Sequence, residues 1–159
     1  MGPNVDGNRV DHSTWSDHTD VRPTILELLG LTDDYVHDGR VVSEILNGYA
    51  LPKALKNSSS FVSLAQMYKQ VNAPFGTFSM AVLSSSTKAL ASNDANDATY
   101  NSIEAQIQSL TSQRDALAAQ MIGLLNGAEF NGQSFSDAQA QSLIAQGQSL
   151  LDQANGLPR

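Results

Sequence analysis

Two of the three histidines, His12 and His18, stand close to Asp11, Asp17 and Asp20, with the only tryptophan, Trp15, between them. Imidazole nitrogens and carboxylate oxygens together form a donor set suited to a divalent cation such as zinc. The spacing matches no compact metal motif such as H-E-x-x-H. A simpler use of the same residues is structural: Asp20 precedes an apolar run as a helix cap, with Asp17 and His18 bracing the turn. The stretch "TDDYVHDG", Thr32 to Gly39, groups three Asp with His37. It lacks the D-x-D-x-D-G spacing and terminal Glu of a calcium loop, and reads as a solvated turn. "GPNVDGN", Gly2 to Asn8, has neither the Lys nor the strand–helix context of a phosphate loop. No G-x-S-x-G elbow occurs. The absence of cysteine excludes disulfides, thiolate metal sites and cysteine nucleophiles.

The elements that must position these residues can be read from capping and periodicity. Residues 1–20 are rich in turn formers and show no sustained period. Asp20, then Pro23 in the first turn, then Gly30 after "ILELL" bracket a short helix over 21–29. Its apolar face is Ile25, Leu26, Leu28 and Leu29. A short strand is expected near Arg40–Val42, and one or two helical turns in "SEILNGY". From Ser58 the pattern changes. Phe61, Leu64, Tyr68, Val71, Phe75, Phe78 and Val82 alternate spacings of three and four, and the register runs straight across Pro74. This predicts one kinked helix or two collinear pieces over about 58–92. Two further helices are expected, over about 95–126 and 135–154, the last capped by Ser134 or Ser136. Arg114 is the polar intruder on the middle stripe; it either reaches a ligand or snorkels to the bundle edge and pairs with an Asp. The fold class is therefore mainly α: a short irregular α/β segment (1–48) followed by an antiparallel bundle of long helices (58–159).

Charge follows the same division. The chain carries 16 acids and 9 bases, for a net charge of −7. Residues 1–48 hold nine acids and three bases, net −6; residues 49–159 hold seven and six, net −1. The acidic balance argues against nucleic acid and anionic membranes as partners, since both need clustered Lys and Arg. No apolar run approaches a membrane span, and no signal peptide is expected at the amino terminus.

The stretch Ser16-Asp17-His18-Thr19-Asp20-Val21-Arg22-Pro23-Thr24-Ile25-Leu26-Glu27-Leu28-Leu29-Gly30 resembles a pattern near the end of the catalytic domain in the alkaline phosphatase superfamily, which includes phosphatases, phosphodiesterases and sulfatases. That pattern is similar to S-H-x-D-x-x-P-T-x-L-x-L-x-G. Gly2-Pro3-Asn4 looks like the Gly-Pro that precedes it, and Asp38-Gly39-Arg40 like the Asp-Gly turn that follows. The likeness covers about residues 1–46. The helical remainder looks like an appendage of some bacterial, especially actinobacterial, relatives. The resemblance implies a metal-dependent ester hydrolase whose two zinc-like cations and Ser or Thr nucleophile come from motifs absent here. Its full-length members are expected to be exported. It makes Asp20 a cap and brace, and places His18, Asp17 and Asp20 at the rim of an active site, with no catalytic residue and no metal ligand in this chain. The expected function is that of a C-terminal fragment, inactive alone, whose partner is the missing catalytic domain or a second copy. The alternative is a stand-alone helical interaction module. A small metal-binding protein using His12 to Asp20 is the third reading.

Overall fold

The computed structural model describes residues 4, 5, 7, 10–32, 35–56 and 58–159. Among the described residues five α-helices form: α1 (Val21–Leu29), α2 (Phe61–Asn72), α3 (Thr77–Leu90), α4 (Ala98–Glu129) and α5 (Asp137–Asn155). Helices α2 to α5 pack together, so the fold is mainly α. Their shared core is apolar, with Leu64, Val71, Met121, Leu125, Ala140 and Ala154 all at 0% exposure. Asp137, at the start of α5, accepts hydrogen bonds from Ser58 Oγ and Ser60 N–H at the start of α2, each at 2.9 Å. The two helices therefore begin at the same end of the bundle. Gly147 of α5 lies so close to Met67 of α2 and Met121 of α4 that a Cβ there would meet the Met67 side chain at 2.7 Å.

The expected break at Pro74 is complete. Ala73 is extended (ψ 150°), as the residue before a proline is driven to be, and α3 starts afresh at Thr77. Phe61, Leu64, Tyr68 and Val71 before the break and Phe78 after it enter one core, but Phe75, which the continuous register also puts on the stripe, lies in the turn after Pro74 and is 78% exposed. The long helix is α4, shifted from the expected 95–126. Asn96 and Asp97 take left-handed φ (58° and 52°), so the helix proper begins at Ala98. At its other end Asn126-Gly127 is not a turn. Gly127 stays helical and buried against the Gln133 side chain, and the second Asn-Gly turns instead, with Gly132 at φ 62°. Of the two candidate caps for α5, Ser136 is the one used: its Oγ accepts from Gln139 N–H at 3.3 Å.

The first 48 residues depart further from expectation. Among the described residues there is no strand, only an isolated antiparallel bridge between Val5 and Leu46. The strand expected at Arg40–Val42 is replaced by pairing to side chains of the preceding turn and α1. Arg40 N–H donates to Asp20 Oδ1 (2.9 Å) and Val42 N–H to Thr24 Oγ1 (3.0 Å). Backbone donors must be satisfied when buried, and here α1 meets that need in place of a neighbouring strand. "SEILNGY" supplies one 3-10 turn, Ser43–Ile45. Helix α1 has the predicted span and closes on Gly30 at φ 63°. Its apolar face is only partly covered: Leu26 and Leu28 are half-buried, but Val21, Ile25 and Leu29 are 53%, 50% and 64% exposed. No helix among the described residues is long and apolar enough to cross a membrane.

Candidate functional site

The start of α1 is built differently from the expected Asp20 cap. Asp17 is the cap of a 3-10 turn, His18–Asp20, that runs into the helix. Asp17 Oδ1 accepts from Thr19 N–H (2.9 Å), and Asp20 Oδ2 accepts from Asp17 N–H (3.1 Å), a reciprocal capping box. Asp20 itself makes no cap to α1. It is turned inward, 1% exposed.

Asp20 is there because Lys69 is there. Lys69, on α2, is 2% exposed, and its ammonium donates to Asp20 Oδ1 (2.9 Å), Asp17 Oδ2 (2.9 Å) and Thr19 Oγ1 (3.2 Å). Three acceptors use all three protons of an ammonium. The Trp15 ring lies 5.4 Å from Lys69 Nζ. Burial pulls the Asp17 carboxyl upward, but hydrogen bonds from the Thr19 hydroxyl and the Lys69 ammonium outweigh it and hold it below its ordinary value.

A second buried cation closes the segment. Arg40, 1% exposed, binds Glu44 through both terminal nitrogens (2.6 and 2.9 Å) and also donates to the Val41 and Trp15 carbonyls. Glu44 in turn accepts from Gln66 of α2 at 3.3 Å. The Tyr68 hydroxyl donates to the Asp38 carbonyl at 3.0 Å. Gly39 permits this closure: a Cβ on it would stand 2.0 Å from the Thr19 carbonyl oxygen, so only glycine fits against the turn.

This arrangement does not suit a metal ion. Asp11 accepts from the N–H and hydroxyl of both Ser13 and Thr14, which holds its carboxyl well below the usual range and occupies its oxygens. The carboxylates of Asp17 and Asp20 are given to Lys69. His12 and His18 are exposed. Among the described residues no group of three or more His, Asp or Glu is placed to hold a metal. Nor is Lys69 a nucleophile, because amine attack needs a free lone pair and its nitrogen is saturated as a counter-ion. Next to the network is an open cleft of about 450 Å³, lined by Asp11, Thr14, Val21, Ile25, Leu28 and Ile45.

The other sequence candidates resolve simply. Gly2–Pro3 and most of Gly2–Asn8 lie outside the described residues, as do Asp33 and Asp34 of the Thr32–Gly39 stretch. His37 of that stretch is buried, with its ring 6.4 Å from Phe130. Arg114 takes the bland option: it pairs with Asp115 at 2.7 Å, too bent for a hydrogen bond, and its guanidinium lies 5.5 Å from the Phe78 ring.

Sequence reasoning missed Lys69, Glu44 and Glu129. The signals were present. Lys69 follows Phe61 and Ala65 at helical spacing, so it falls on the buried side of α2. Glu129 follows Met121 and Leu125 in the same way at the end of α4. No family model, no curated protein and no solved structure matches this chain.

Proposed function

We propose that residues 1–48 correspond to the closing seam of an alkaline-phosphatase-superfamily catalytic domain. The chain is then the C-terminal part of such a phosphoesterase and is not a hydrolase by itself. One observation carries this reading. The residues that bear the resemblance do not scatter; Asp17, Asp20, Thr24, Gly39 and Arg40 interlock as one hydrogen-bonded unit. That is how a motif spread over twenty-odd residues would act, as a brace that shapes a rim and leaves the chemistry to other residues. Ester hydrolysis in that superfamily needs positioned cations and a nucleophile. Among the described residues, the carboxylates of Asp11, Asp17 and Asp20 are engaged by Ser13, Thr14 and Lys69. His18, exposed beside the brace, takes the rim position. Purified protein with zinc is expected to give no turnover of p-nitrophenyl phosphate above buffer. Zinc-dependent turnover abolished by His18→Ala would overturn the reading.

The second reading, a helical interaction module, draws on a different observation. Phe75, Met80, Leu83 and Leu90, on α3 and the turn before it, are 78%, 49%, 60% and 76% exposed. Exposed apolar stripes of this kind mark contact surfaces. Sedimentation equilibrium distinguishes the two: concentration-dependent self-association lost on Leu83→Lys favours the module, and a monomer at all concentrations favours the phosphoesterase part.

A further inference from the structure

We propose that the seam between the amino-terminal segment and the end of α4 is a proton-controlled latch, closed while the Glu129 carboxyl is protonated and loosened when it ionises. Glu129 is the last residue of α4 and is 7% exposed. Neither of its carboxyl oxygens has a hydrogen-bond donor. Its position at the helix C-terminus sets it against the negative end of the α4 dipole, which disfavours an anion. Across the seam, α1 presents another acid, Glu27, within electrostatic reach. The cation that faces it, Arg40, is already committed through its terminal nitrogens to Glu44, and its Nε is left without a partner. His37 lies on the same side, its ring tilted 45° to that of Phe130 at 6.4 Å. Glu129 is thus a buried acid without a counter-ion of its own, sitting where two parts of the molecule meet.

The titration direction agrees. Burial first, then Glu27, push Glu129 up to about 8 against the opposing pull of Arg40, and burial alone pushes Glu27 up to about 7. Both folded values exceed the ordinary 4.5. The docked state therefore holds extra protons. Its stabilisation is full below pH 4.5 and is lost as pH rises through 7 to 8.

The test is hydrogen exchange of the full chain between pH 6 and 9, corrected for intrinsic rate, with α5 amides as the internal control. Amides of α1 should lose protection with rising pH by up to about tenfold per pH unit for each linked proton, most steeply below pH 7 where Glu27 and Glu129 both contribute. Glu129→Gln should weaken that dependence to what Glu27 alone supplies, ending near pH 7, while α5 stays protected. Should Glu129→Gln fail to fold, Glu27→Gln carries the test, since removing that charge should move the transition to lower pH. Wild-type α1 protection independent of pH, a Glu129→Gln profile like wild type, or a Glu27→Gln midpoint unmoved would each overturn the latch.

Discussion

In the bundle, the side chains withdrawn completely from water are mostly apolar, Leu64, Val71, Met121 and Leu125 among them; in the segment before it, the charged Asp20 and Arg40 are withdrawn alongside Val41 and Pro23. The bundle buries most of its apolar groups, Met80, Leu83 and Leu90 of α3 excepted, and covers itself largely with Gln, Ser and Asn. The segment buries Asp20 and Arg40 beside Val41, Val42 and Leu46, and leaves Val21, Ile25 and Leu29 outside. The contrast teaches what each part can tolerate. Apolar packing is non-directional and degrades by degrees as volume is lost. A buried ion network depends on geometry, and it fails when one partner is removed, because the other charge stays buried without compensation. One residue, Lys69, belongs to both: it is made by the bundle and used by the segment.

The largest effect should therefore come from Lys69→Met. It keeps the stem that packs in α2 and deletes the counter-ion of Asp17 and Asp20, costing about 3–5 kcal/mol. The Trp15 ring, already 38% exposed, should lose its contact with the position-69 side chain and its fluorescence should move further toward that of a fully solvated indole, while far-UV circular dichroism retains the bundle. Loss of both signals together would show that the two regions are a single unit. Next in size is Leu64→Ala, a cavity in the shared core, at about 2–5 kcal/mol in urea unfolding. This one should lower bundle and segment alike; an effect on the segment alone would invert the comparison.

Gly39→Ala comes third. Its Cβ would collide with the Thr19 backbone, which cannot yield as a flexible side chain would. About 1–3 kcal/mol is expected, confined to the segment and read by exchange of α1 amides. The smallest is Ser136→Ala, about 1 kcal/mol from the lost α5 cap, visible in thermal unfolding and absent from the Trp15 signal. Acid should also act selectively. The folded Asp17 carboxyl lies below its ordinary 3.8, so its contribution is present above that value and lost as pH falls through the lower folded one. The Trp15 signal should change in acid before the helical signal does.

The sequence reading succeeded where period and punctuation act locally. Helix α1 between its bounds of Asp20 and Gly30, the break at Pro74 and the Ser136 cap were all legible, because each depends on a few neighbouring residues. It failed where a distant residue decides. Asp20 was read as a cap because nothing nearby reveals an ammonium 49 residues away on another helix. Arg40–Val42 was read as a strand because its composition suits one, yet its donors are met by Asp20 and Thr24. The end of α4 is not legible because Asn126-Gly127 has turn chemistry, whereas Gly127 lies within the helix with Gln133 packed against it, the Gln133 N–H donating to the Gly127 carbonyl at 2.9 Å. The His12 and His18 cluster drew attention by residue type. Its oxygens are engaged by Ser13, Thr14 and Lys69, contacts that the donor inventory alone does not display.

The central claim is that the Asp20–Lys69 pair ties the amino-terminal segment to the bundle. A double-mutant cycle of Asp20→Asn and Lys69→Met, followed by urea unfolding at the Trp15 signal, measures that tie directly. The account predicts a coupling energy of about 1–3 kcal/mol, with the double variant less destabilised than the sum of the two singles. Additive effects, with coupling near zero, would contradict it and return the docking to apolar contacts.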